Sequence, residues 1–93
     1  MKQETRKKYF DALSALHAIL SNGGNVSMKE FINSRELSKD FSNALQDGKI
    51  ITYDGDRYQW NTIKPTLEMA GETVSRLAQR ANAVRDNRVK YNT

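Results

Sequence analysis

The chain contains no cysteine, one histidine and one proline. Without cysteine there can be no disulfides, no thiolate zinc sites and no sulfur nucleophile. With His17 as the sole imidazole, a multi-histidine metal site is impossible, and a serine–histidine pair has only one possible base. Apolar runs are short: none approaches the roughly 18–20 residues that a bilayer-spanning helix needs, so no membrane partner is expected. The opening MKQETRKKYF is charged with no apolar segment behind it, unlike a secretory leader. These absences point to a cytoplasmic protein that is not an enzyme and needs no cofactor or metal.

What is present suits one small folded unit. The chain has 93 residues, 38% hydrophobic and 28% charged, which is lean but within the globular range. The net charge of +4 is unevenly placed. Residues 1–8 carry four basic side chains against one acid, and residues 64–93 carry six against three. Between them, residues 9–63 carry five against seven. A surface that grips a polyanion needs a basic excess where it touches, and here the two ends supply it.

From Thr5 to Asn22, the residues Tyr9, Phe10, Leu13, Leu16, Ile19 and Leu20 recur at three- and four-residue steps, one face of an amphipathic helix. Asn22-Gly23-Gly24 ends it. Ser27-Met28-Lys29-Glu30 has the form of a capping box and opens a short helix that ends near Asn33-Ser34. A third helix is expected from Ser38 to Asp47, with Leu37, Phe41, Ala44 and Leu45 inward and Gly48 closing it. Ile50–Tyr53 and Arg57–Trp60, joined through Asp54-Gly55-Asp56, read as a β-hairpin. A long helix then starts at Pro65 or Thr66 and runs to Asp86 or beyond.

The stretch VSMKEFINSRELSKDFSNALQDGKIITYDGDRYQW, Val26 to Trp60, follows this order of elements and resembles the winged helix-turn-helix family. The fragment from Leu45 to Ile51 looks like that family's exit from its third helix into the wing. The expected fold is therefore mostly α with a small β-hairpin: a winged helix-turn-helix over residues 1–63, followed by a long C-terminal helix over 64–93. The resemblance implies that the third helix enters the major groove. Its outward positions here include Lys39, Ser42, Asn43 and Gln46, with Lys49 and Arg57 nearby as phosphate contacts. Asparagine and glutamine suit bidentate reading of adenine. The chain departs from the family pattern in charge. Asp40 and Asp47 are expected to face solvent on that helix, and the wing tip Asp54-Gly55-Asp56-Arg57 is acidic where DNA-binding members usually carry lysine or arginine.

In the last helix Leu67, Ala70, Val74, Leu77, Ala81 and Val84 follow alternating steps of three and four, an a/d seam. This stripe can pack on the chain's own first helix or on a second copy, and we expect it to be a dimerisation element. Arg80 at g would oppose Arg85 at e in a parallel pair, which favours an antiparallel one.

Other motifs fail on spacing. Counted as a calcium loop from Asp54, position 6 is Gln59 and position 12 is Pro65, where glycine and glutamate are required. Gly23-Gly24 lacks the Gly-Lys-Ser/Thr of a phosphate-cradling loop. His17 is expected as a boundary residue, and Tyr58 and Trp60 as core. The expected function is that of a small, dimeric, double-stranded-DNA-associated protein, a transcriptional regulator or a mobile-element accessory factor. The alternative is a protein-interaction or assembly module of the same fold, to which the acidic wing points.

Overall fold

A computed structural model describes residues 2–92, and side chains as far as residue 82. Among these, the chain forms α1 (Gln3–Ser21), α2 (Met28–Arg35), α3 (Phe41–Asp47), β1 (Ile51–Tyr53), β2 (Tyr58–Trp60) and α4 (Leu67–Asn92). The first helix buries Tyr9, Leu13 and Leu16 of the expected stripe together with Ala12, while Phe10, Ile19 and Leu20 are partly buried against the core. Gly23, at φ 76, turns the chain out of it, and the Gly24 amide donates back to the Ile19 carbonyl at 2.9 Å.

Ser27 caps α2, its hydroxyl accepting from the Glu30 amide at 3.4 Å. The helix continues to Arg35, and Glu36 closes it in the left-handed region at φ 55. Its third-helix neighbour starts three residues later than expected, at Phe41. Ser38 explains the delay. Its hydroxyl accepts from the Asp40 amide and its carbonyl from the Phe41 amide, and such local bonds compete with helix geometry. The Ser38 amide itself is held by the Tyr9 hydroxyl at 2.9 Å, so α1 fixes where α3 begins.

Phe41 is the centre of the core. It is fully buried, tilted against Tyr9 at 5.7 Å between ring centroids and stacked on Phe31 at 6.2 Å. One residue each from α1, α2 and α3 thus meets at this point. Burying aromatic rings of this size contributes several kcal/mol of hydrophobic stabilisation, on the order of 25 cal/mol per Å².

The hairpin is antiparallel, with Ile51 opposite Trp60, Thr52 opposite Gln59 and Tyr53 opposite Tyr58. Ile51 is fully buried, whereas Tyr53 remains half exposed against the Tyr58 ring. Trp60 meets His17 of α1 edge-on at 5.0 Å, and its indole N–H donates to the Ile63 carbonyl at 3.0 Å. In the turn Gly55 adopts φ 95, the conformation that the Asp-Gly pair predicts.

Thr66 caps α4, its hydroxyl accepting from the Met69 amide at 3.0 Å. Met69, Ala70 and Thr73 are buried, so the first turns of α4 complete the core that α1 opens. Arg6 of α1 lies across Gly71, with its Nε 3.5 Å from where a side-chain β-carbon would stand. The architecture is mostly helical, with a two-stranded hairpin and a long C-terminal helix. Among the described residues, no helix is long and apolar enough to cross a membrane.

Candidate nucleic-acid interface

The third helix and its flanking residues carry one polar surface opposite the core. Phe41, Ala44 and Leu45 point into the core. Lys39, Asn43 and Gln46 are exposed and Ser42 is half-buried, and they follow one another at one-turn steps, as helical neighbours do. Gln46 donates to the Ser42 carbonyl at 3.3 Å, and Asn43 donates to Asp40 Oδ1 at 3.4 Å.

Asp40, at the N-cap, and Asp47, at the last residue of the helix, flank Asn43 at one-turn steps on the side nearest α4. Both meet Arg80 of α4, which donates from Nη1 to Asp47 Oδ2 at 2.6 Å and places Nε 3.7 Å from Asp40 Oδ1. The sequence predicts that these two acids face solvent. Instead a guanidinium from 33 residues away stands between them. Such a partly exposed ion pair adds little to stability, but it removes negative charge from the helix that the family resemblance assigns to DNA. Arg76 lies one turn earlier on α4, its Nε 2.9 Å from where a β-carbon on Gly48 would stand. Gly48 closes α3 at φ −82, so no left-handed turn requires glycine there, and a β-carbon would meet only the movable end of Arg76.

The left-handed residue at this exit is Lys49, at φ 58, and its side chain is exposed. Between α2 and α3 lies an open groove of 370 Å³ lined by Met28, Lys29, Ile32, Asn33, Lys39 and Ser42. Its charged lining is two lysines with no carboxylate. Lys29 and Asn33 were not among the sequence-derived site residues. The signal available for them was their i, i+4 spacing on α2, beside the buried Met28 and Ile32.

Arg57 is held elsewhere. Its Nη2 donates to the Gly23 carbonyl at 2.8 Å and to the Gly24 carbonyl at 3.2 Å, so it fastens the hairpin to the end of α1. The turn itself is organised by Asp54, whose Oδ1 accepts from the Asp56 and Arg57 amides, each at 2.9 Å. Those two donors, Arg57 first, hold the Asp54 carboxyl below its ordinary range. The hairpin turn is thus acidic at Asp54, and the exposed lysine and amide groups lie on α3, beside its two ends and along the α2 groove.

Along the C-terminal stripe, Leu67 is 52% exposed while Ala70 is fully buried inside the chain. Val74 and Leu77 are half-buried against the core, and Ala81 is exposed. Val84 and Arg85 lie outside the described side chains. Leu67 joins Phe10, Lys7 and Asp11 of α1 around a shallow, mainly apolar groove. Among the described residues, no group of three or more histidine, aspartate or glutamate side chains gathers to hold a metal. Comparison with protein-family models, with curated proteins and with solved structures found no match for this chain.

Proposed function

We propose that this chain is a small DNA-associated protein of winged-helix type, a transcriptional regulator or mobile-element accessory factor that acts as a dimer. The outward side of α3 lies against duplex DNA, with Asn43 and Gln46 at base edges and Ser42, Lys39 and Lys49 at phosphates. The observation that carries this reading is the polar surface around α3. Asn43 and Gln46 are exposed on the helix and Lys39 and Lys49 flank it, while the acids beside them, Asp40 and Asp47, pair with Arg80. The two lysines lining the α2–α3 groove extend the same surface. Arg57, engaged with α1, supports the hairpin and does not serve the phosphates.

The test is a duplex titration at two salt concentrations. A protein that neutralises several phosphates loses affinity steeply with salt, by a slope of about −0.9 per contact. With Lys29, Lys39 and Lys49 in contact, the expected slope is on the order of −3. A flat response, or no binding at low salt, overturns the reading.

One observation favours the alternative, an assembly module without nucleic acid. Leu67 stands exposed at the start of α4, at the edge of the apolar groove that includes Phe10. That reading predicts a stable oligomer whose mass is unaffected by DNA.

A further inference from the structure

Arg80 is the described side chain that links α4 to the polar side of α3, and its Nε is buried with no hydrogen-bond partner. At 3.7 Å from Asp40 Oδ1 it is within ion-pair range and beyond hydrogen-bond range. Orphaning a guanidinium nitrogen carries a desolvation cost, so stability alone gives a poor account of this arrangement. Its geometry has a second consequence. Asp40 Oδ1 is the same atom that accepts from Asn43 Nδ2, so Arg80, Asp40 and Asn43 form a chain from α4 to the outward side of α3. Asp47, the other acid bound by Arg80, neighbours Gln46 in sequence.

We infer that Arg80 is a positioning residue for nucleic-acid binding: it neutralises Asp40 and Asp47 and, through Asp40, orients the amide of Asn43 toward a base. This rests on the DNA reading above and adds to it a control exerted from α4. A polyanion approaching α3 meets two carboxylates if Arg80 is absent, and one guanidinium between them if it is present. In this role Arg80 touches no phosphate. It acts on the field and on the rotamer of the residue that does the contacting.

The experiment measures duplex affinity for the wild type, Arg80→Met, the pair Asp40→Asn with Asp47→Asn, and the triple variant. Methionine keeps much of the aliphatic stem, and asparagine at position 40 still offers a carbonyl to Asn43. Uncovering two carboxylates near a phosphate row is expected to weaken Arg80→Met by roughly tenfold at about 0.1 M salt. The asparagine pair, with Arg80 intact, is expected to bind more tightly than the wild type. The triple variant is expected to recover wild-type affinity, because the charges that Arg80 masks are gone. Preference for adenine over guanine at the contacted position should fall in Arg80→Met and stay low in the triple variant, because charge is rebalanced there but Arg80 no longer holds residue 40.

A triple variant as weak as Arg80→Met makes Arg80 a direct phosphate contact and overturns the inference. So does an asparagine pair indistinguishable from the wild type, a result that does not depend on how well Arg80→Met folds. A wild type that binds duplex DNA while both results are negative leaves the DNA reading standing and removes only this inference. A wild type that does not bind removes both.

Discussion

Arg57 reaches back 34 residues to donate to the carbonyl of Gly23, joining the tip of the hairpin to the end of the first helix. The two carbonyls it binds, those of Gly23 and Gly24, lie just past the helix, where a cation is also near the negative end of the helix dipole. Replacing Arg57 with alanine is expected to cost about 1 kcal/mol in chemical denaturation, a typical value for one hydrogen-bonding side chain. The salt slope for DNA should stay unchanged. A decrease of about 0.9 in its magnitude would instead make Arg57 a phosphate contact.

Lys49 gives the opposite pairing of effects. A lysine in the left-handed region is strained where glycine is not, so Lys49→Gly should leave stability unchanged or raise it by up to about 1 kcal/mol. The same change removes an exposed ammonium at the exit of α3, and DNA affinity should fall. Paired melting and binding curves on one sample check both directions.

Phe41 joins three helices through Tyr9 and Phe31. Truncation to alanine leaves a cavity that the surrounding rings fill only in part, at a cost of about 3–5 kcal/mol. For a domain of this size that is most of the stability available. Circular dichroism of Phe41→Ala at 25 °C should show a largely unfolded chain, whereas Phe41→Leu retains a cooperative transition.

Acid should loosen the hairpin turn. The Asp54 carboxyl titrates below its ordinary value because the Arg57 and Asp56 amides bind its charged form. A depressed carboxylate contributes stability that is complete above its unfolded value, about 3.9, and that is lost as pH falls through the lower folded value. The difference in melting temperature between the wild type and Asp54→Ala is therefore expected to be constant near neutrality. It should shrink as the pH is lowered below about 4. A difference that persists in strong acid would place the effect of Asp54 outside its charge.

Self-association is best tested at Leu67, which is exposed, and not at Ala70, which is inside the fold. Leu67→Asp should preserve the melting temperature within about 1 kcal/mol of stability, as surface changes do. If a second copy covers this position, light scattering will show the mass falling toward that of one chain. Aspartate at Val74 and Leu77 would damage the core as well, since both pack against it.

Periodicity made much of this fold readable. The stripe of α1, the Ser27 cap and the Asp-Gly turn are local patterns with local causes, and each appears where its residues place it. The start of α3 was missed because Ser38 and Asp40 offer bonds that compete with a helix over a few residues, and no spacing rule weighs that competition. The candidate site was harder still. Lys39, Ser42, Asn43 and Gln46 could be assigned to the outside of a helix from their register with Phe41 and Leu45. The partners of Asp40, Asp47 and Arg57 could not, because ion pairs and side-chain-to-carbonyl bonds across more than 30 residues leave no periodic trace. The a/d stripe of α4 was legible as apolar, but an identical 3–4 spacing serves a core and a coiled coil equally. Only the burial of Met69 and Ala70 tells which neighbour its opening turns have.

Arg6 lies over Gly71 in the second turn of α4, so the opening turn of the chain rests on the start of its last helix. Trimming the amino-terminal residues would accordingly bare a strip of α4 far along the sequence, although none of that helix's own residues has changed.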